Sequence, residues 1–155
     1  MARQQFDTLD CKIIRMLSLN ARTPYLEIAR ECGVSGAAIH QRIQKLTQAG
    51  VINGFESLIS PDALGYETCA YIGFFLSDPS RHDEVVKELK KIPEVVECHM
   101  TTGKYDILVK LYARNNKHLL DIIHNKFQSI GPGRTETIIS FCEEFRRQVP
   151  IDNVE

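Results

Sequence analysis

Between residues 32 and 55 the chain has no acidic side chain, and that stretch holds Ser35, His40, Gln41, Arg42, Gln44 and Lys45. Hydrogen-bonding and cationic side chains at helical spacing suit an anionic polymer, because Arg and Lys neutralise phosphates and Gln can pair with an adenine edge. A solvated helix face has the same composition, so charge alone does not choose. His118, Asp121 and His124 are metal-ligand types three residues apart; no fourth ligand is evident, and a polar helix face accounts for them. Cys98 and His99 are neighbours on a strand-like segment. Successive strand side chains point to opposite faces, so the two cannot act together as nucleophile and base. Phosphate-binding, dinucleotide and nucleophile-elbow fingerprints are lacking, so neither an enzyme nor a cofactor is expected.

These residues need elements to hold them. Leu9, Ile13, Met16 and Leu17 recur at helical spacing behind Asp7 and Thr8, and Asn20-Ala21-Arg22 ends that pattern. Thr23-Pro24 reads as an N-cap followed by proline at the first helical position, opening a second helix through Leu26, Ile28 and Ala29. Gly33 suits a left-handed turn, and Ser35 caps a third helix that turns Ala38, Ile39, Ile43 and Leu46 inward and His40, Gln41, Gln44 and Lys45 outward. A small residue inside the crossing and a glycine in the sharp turn are what a helix-turn-helix requires, and Ala29 and Gly33 supply both. Val51-Ile52-Asn53-Gly54-Phe55 then reads as a wing or linker strand.

Beyond a boundary at 61–65 the periods alternate: a strand at 66–76, a helix at 81–92, strands at 95–102 and 105–112, a helix at 115–130 and a strand at 134–145. That β-α-β-β-α-β order is ferredoxin-like. The expected fold is therefore α+β, with a winged helix-turn-helix over 1–60 and a ferredoxin-like domain over 61–155. Neither face of the first sheet strand is polar: Ala70, Ile72 and Phe74 alternate with Cys69, Tyr71, Gly73 and Phe75. Helices cover one face only, so a second copy of the chain is expected to cover the other, the alternative being the N-terminal domain folded over it. The same strand order occurs in RNA-recognition domains, but the segment 105–112 lacks their glycine-aromatic signature.

The chain has 155 residues, 43% of them hydrophobic, which allows one ordinary domain or two small ones. Charge is nearly balanced, 19 basic against 20 acidic residues, but residues 1–57 carry seven basic against five acidic. Five cysteines without a C-x-x-C pair argue for reduced thiols. With no signal-peptide pattern and no run approaching ~20 apolar residues, a cytoplasmic protein without membrane contact is expected.

Leu9-Asp10, Asn20-Ala21-Arg22, Glu27-Ile28-Ala29, Gly33-Val34-Ser35, Arg42-Ile43, Gly50-Val51-Ile52, Gly65, Thr102-Gly103-Lys104-Tyr105-Asp106 and Thr135-Glu136-Thr137, taken in order, resemble the Lrp/AsnC (leucine-responsive, feast/famine) transcription regulators. The resemblance implies a sensor domain of RAM/ACT-like type, homodimers assembling into octamers of four dimers, bound double-stranded DNA, and a small amino acid effector held between dimers near Gly103. The expected DNA-binding residues are Ser35, Gly36, Ala37 and Ala38 at the helix mouth, then His40, Gln41, Arg42 and Lys45, with Arg22, Thr23 and Tyr25 as phosphate contacts. The expected effector residues are Thr102, Gly103, Lys104, Tyr105 and Asp106, joined by Asn115, Thr135 and Thr137. Asp106 could accept from an amino group, or could simply cap a tight hairpin turning on Gly103. The alternative function is an amino-acid-binding regulatory or oligomerisation protein without a specific DNA target.

Overall fold

A computed structural model describes residues 6–131 and 133–151. Its chain forms two compact units, Met1–Leu58 with Arg146–Glu155, and Ile59–Phe145. Arg15 donates to the Ile151 carbonyl at 2.8 Å, which ties the later segment to the first helix.

The first unit holds α1 (Thr8–Leu19), α2 (Tyr25–Cys32) and α3 (Gly36–Gln48). Asp7 caps α1 in a reciprocal box: its carboxylate accepts from Asp10 N at 2.8 Å, and the Asp10 carboxylate accepts from Asp7 N at 3.2 Å. Two of the helix's orphan donors are thereby satisfied. Thr23 does not cap α2, contrary to the expectation. Pro24 is the N-cap, its carbonyl accepting from Glu27 and Ile28, and Thr23 lies one residue too early to reach the free N–H groups. Its hydroxyl donates instead to the Asn20 carbonyl at 2.7 Å. Gly33 takes φ 68° and ends α2 with Val34 N donating to Ala29 O at 3.0 Å, a turn closed by two backward hydrogen bonds. Ile13, Leu17, Ile28, Ala29, Ile39, Ile43 and Leu46 form the core of this unit.

The segment 51–60 forms no strand. Val51 and Ile52 pack on the helical core, while Phe55, Leu58 and Ile59 are exposed. A strand needs a neighbour for its rows of N–H and C=O groups, and among the described residues none pairs with it; the expected wing is thus a helix-turn-helix without a wing strand in the single chain.

The second unit is β1 (Thr68–Leu76), α4 (His82–Leu89), β2 (Val95–Met100), β3 (Ile107–Ala113), α5 (Asn116–Asp121) and β4 (Gly133–Ser140), with α5 continuing through a π-helical segment, Ile122–Phe127, into a last turn at Gln128–Ile130. The sheet is antiparallel in the order β2-β3-β1-β4, as the ferredoxin-like order requires. Ala70, Ile72, Phe74, Ile107, Val109 and Leu111 meet Val85, Leu89, Leu119, Ile122 and Phe127 beneath the helices. Phe74 and Phe127 pack edge to face at 5.1 Å and are fully buried, and each ring contributes about 2–3 kcal/mol.

Among the described residues of this unit, no helix covers the other face of the sheet. Tyr71, Phe75, Leu108 and Tyr112 are half-buried there, and Ile138 is exposed. It is not wholly apolar, because Lys110 sits in its middle with only 5% of its surface exposed. Its ammonium lies 3.3 Å from Glu143 and 3.7 Å from Glu97, and over the rings of Tyr112 and Tyr71 at 5.5 and 5.9 Å. Burial pulls the Lys110 pKa down, but its hydrogen bonds to Glu143 and Tyr112 outweigh it and hold the group above its ordinary value.

Candidate nucleic-acid interface and ligand hairpin

Ser35 starts α3 by accepting from Ala38 N at 3.2 Å, and Ile39 N donates to the Ser35 carbonyl. Gly36 and Ala37 open the first turn of α3, where backbone N–H groups have no intrahelical carbonyl to meet, a geometry that receives anions. Gly36 also lets α2 come close, since a Cβ there would lie 3.1 Å from Leu26 Cδ2. His40, Gln41, Gln44 and Lys45 are exposed in one stripe, and Ala37 is exposed while Ala38 is half-buried. Tyr25 is half-buried with its ring 5.9 Å from that of His40, linking the start of α2 to this stripe, and Arg22 is exposed just before it.

Arg42 is placed differently from its neighbours. Its guanidinium is 3.1 Å from Asp10 and pairs with Asp7, the two residues of the α1 capping box. The exposed stripe is thus braced against α1 by a residue that sequence alone would assign to phosphate. Asp7 is held below the usual carboxylate range, first by the hydrogen bond from Asp10 N and then by Arg42.

The turn between β2 and β3 exposes Thr102, Gly103 and Lys104, with Gly103 at φ 95° and open space around it, so its glycine serves backbone conformation rather than close approach. Asp106 is spent on the sheet: its carboxylate accepts from Leu76 N at 2.8 Å and its own N–H donates to Phe74 O at 2.9 Å. Tyr105 reaches across β1 on the helix-free face to donate to Glu136 at 3.0 Å, and Lys104 donates to the same carboxylate at 2.5 Å.

Thr135 and Thr137 pair with Phe74 and Ile72, so they belong to the helix-covered face, opposite to Glu136. Thr135 lines a cleft with Ile123, Phe127, Gln128, Gly131 and Gly133. Asn115 caps α5, accepting from His118 N at 2.9 Å. It follows the end of β3 remote from the hairpin, and seven strand residues separate the two by about 20 Å. Within one chain, then, the expected effector residues form three separate groups.

Gly73 and Glu136 carry structural weight that sequence reasoning missed as site features. A glycine inside an apolar strand was the available signal for Gly73, since such a residue marks close approach of another group. The metal-type residues on α5 have other duties: His118 Nδ1 accepts from Arg114 N at 3.1 Å with Nε2 3.3 Å from Glu94, and Asp121 accepts from Asn125.

A helix-turn-helix unit followed by an antiparallel ferredoxin-like unit defines a two-part DNA-binding regulator. Residues 6–47 match the AsnC-type helix-turn-helix domain and residues 69–150 match the Lrp/AsnC ligand binding domain. The chain belongs to the Lrp/AsnC family of transcription regulators. It is 39% identical over 144 residues to regulatory protein AsnC of Haemophilus influenzae, covering 92% of this chain and 96% of that one. To its counterpart in Escherichia coli K12 it is 38% identical over 150 residues, covering 96% and 99%. The solved structure of E. coli AsnC superposes with a TM-score of 0.88 at 36% identity, covering 94% of this chain and 99% of that one. A transcriptional regulator from Neisseria meningitidis solved in complex with L-Met shares the fold, with a TM-score of 0.89 at 20% identity over 96% and 98% of the two chains.

Proposed function

We propose that the chain regulates transcription in the cytoplasm as a homodimer, able to build an octamer of four dimers, that reads duplex DNA with α3 and answers to a small amino acid. The observation that carries the reading is the α3 face: a helix start capped by Ser35, followed by His40, Gln41, Gln44 and Lys45 exposed in one stripe. Ser35, Gly36 and Ala37 would approach the phosphate and groove edge, Gln41 would pair with a base, and Lys45, Arg22 and Tyr25 would hold the backbone. Arg42 acts through α1 instead.

The helix-free sheet face, with Tyr71, Phe75, Leu108 and Tyr112, supports pairing with a second copy. Two α3 helices related by a dyad would then read half-sites spaced by about 34–36 Å or a multiple. Separation of the effector residues into groups within one chain supports a ligand site completed by another protomer, with Thr102, Gly103, Lys104 and Tyr105 from one copy facing Thr135 or Thr137 of the next. The relative solved with L-Met supports an amino acid as the ligand class. The role is non-catalytic.

Gel shifts with sheared genomic DNA test this reading, followed by footprinting of the bound fragments and repetition with each amino acid. Protected half-sites at the dyad spacing are expected. Equal affinity for genomic, random and single-stranded nucleic acid at every salt concentration would sink it.

A further inference from the structure

Glu136 projects from β4 onto the helix-free face, opposite Gly73 of β1. Three donors converge on its carboxylate: Lys104 Nζ at 2.5 Å, the Tyr105 hydroxyl at 3.0 Å and the guanidinium of Arg134. Lys104 and Tyr105 belong to the β2–β3 hairpin, and β1 lies between that hairpin and β4. The reach across β1 exists because residue 73 has no side chain. The Tyr105 ring fills that place and continues onto Phe75 at 5.4 Å, while Arg134 stacks on the far side of the group, 4.9 Å from the Phe75 ring centre.

Asp106 ties the base of the hairpin to β1, its N–H donating to Phe74 O at 2.9 Å and its carboxylate accepting from Leu76 N at 2.8 Å, and the tip is left to Lys104 and Tyr105. Thr102, Gly103 and Lys104 are exposed, and its base is closed by Thr101 Oγ1 donating to Tyr105 O at 2.7 Å and Thr101 N donating to Asp106 O at 3.2 Å. The Glu136 side chain is only 25% exposed, so its charge is shielded from bulk water while Lys104 and Arg134 balance it. The hydrogen bond from Lys104, ahead of that from Tyr105, keeps its carboxyl below the usual range and hence ionised near neutrality.

We propose that Glu136 is the positioning residue of the ligand hairpin: through Lys104 and Tyr105 it straps the turn carrying Gly103 across β1, so that the turn is ordered before an amino acid arrives. The proposal rests on the hairpin being the ligand site. A ligand that needs the ordered hairpin binds in proportion to the fraction of molecules that have it, so loosening the strap at Glu136 weakens binding through the order of the hairpin.

The test compares full-length wild type with Glu136→Gln, which keeps size and one acceptor but loses the charge, and Tyr105→Phe, which loses only the hydroxyl. Hydrogen exchange at the amide of Thr101, which donates to Asp106 O within the hairpin, reports the hairpin, exchange at Ile72 and Phe74 reports the core, and calorimetry with each of the twenty amino acids reports binding. Both variants are expected to speed hairpin exchange by about tenfold, and to raise the Kd of whichever amino acid binds wild type by a similar factor, with core exchange unchanged. Hairpin exchange equal to wild type in both variants overturns the proposal, as does faster exchange with an unaltered Kd. If no amino acid binds wild type, the ligand reading falls, while the exchange arm still decides whether Glu136 orders the turn.

Discussion

The Tyr105 ring stands where a side chain of residue 73 would be: a Cβ built on Gly73 would lie 2.2 Å from Tyr105 Cδ1 and 2.4 Å from Cε1. Real Cβ atoms do not approach so closely, so Gly73→Ala must displace the ring or the strand. The expected cost is about 1–3 kcal/mol in denaturant unfolding at fixed protein concentration. Adding Tyr105→Ala should recover part of it, since the two residues share one volume. A Gly73→Ala protein as stable as wild type would show that the ring does not occupy that place.

Arg42 and Lys45 are three residues apart on α3 and separate cleanly. Arg42→Ala should cost about 1 kcal/mol, because it leaves the α1 capping box without its cation, yet keep the salt dependence of DNA binding. Lys45→Ala should leave stability alone and reduce the slope of log K against log salt by about 1. Slopes from gel shifts at four salt concentrations decide; a flattened slope for Arg42→Ala would return it to the phosphate contacts.

Acid should loosen the start of α1. Asp7 has a lowered folded pKa, so its contribution is fully present above the ordinary Asp value of about 4 and is lost as pH falls through the lowered one. An acid titration followed by amide shifts of residues 8–11 should show this step, and Asp7→Asn should remove it. Identical titrations of the two proteins would contradict the assignment.

Lys110 tests the proposed dimer face. Lys110→Glu places a third carboxylate beside Glu97 and Glu143 on the helix-free face and is expected to convert the dimer to monomer at micromolar concentration in sedimentation. Lys110→Met, which fills the same space without charge, should retain the dimer. If Lys110→Glu sediments as wild type does, a second copy does not cover this face.

Asn115 caps α5, and Asn115→Ala should lower stability by about 1 kcal/mol while leaving amino acid affinity as it was. A weakened affinity without a stability change would restore it to the ligand site.

Local chemistry made much of this legible beforehand. Asp7 before an apolar period, Gly33 in a left-handed turn and Ser35 ahead of α3 each act within one helical turn, so their residue types suffice. The alternation of Ala70, Ile72 and Phe74 against Tyr71 and Phe75 marked both faces of β1 for the same reason, since strand period is a backbone property. Thr23 failed at the limit of this logic, where a one-residue shift in the helix start decided which group its hydroxyl met.

The amino-acid sequence by itself determined the α+β order, the helix-turn-helix and its exposed stripe, because periodicity and capping depend on neighbours along the chain. Only the tertiary structure decided that Arg42 turns toward Asp7 and Asp10, that Lys110 reaches Glu143, and that Tyr105 crosses Gly73 to Glu136. Those partners lie about 30 or more residues apart in the chain, and a side chain with several possible partners takes the one that folding brings within reach.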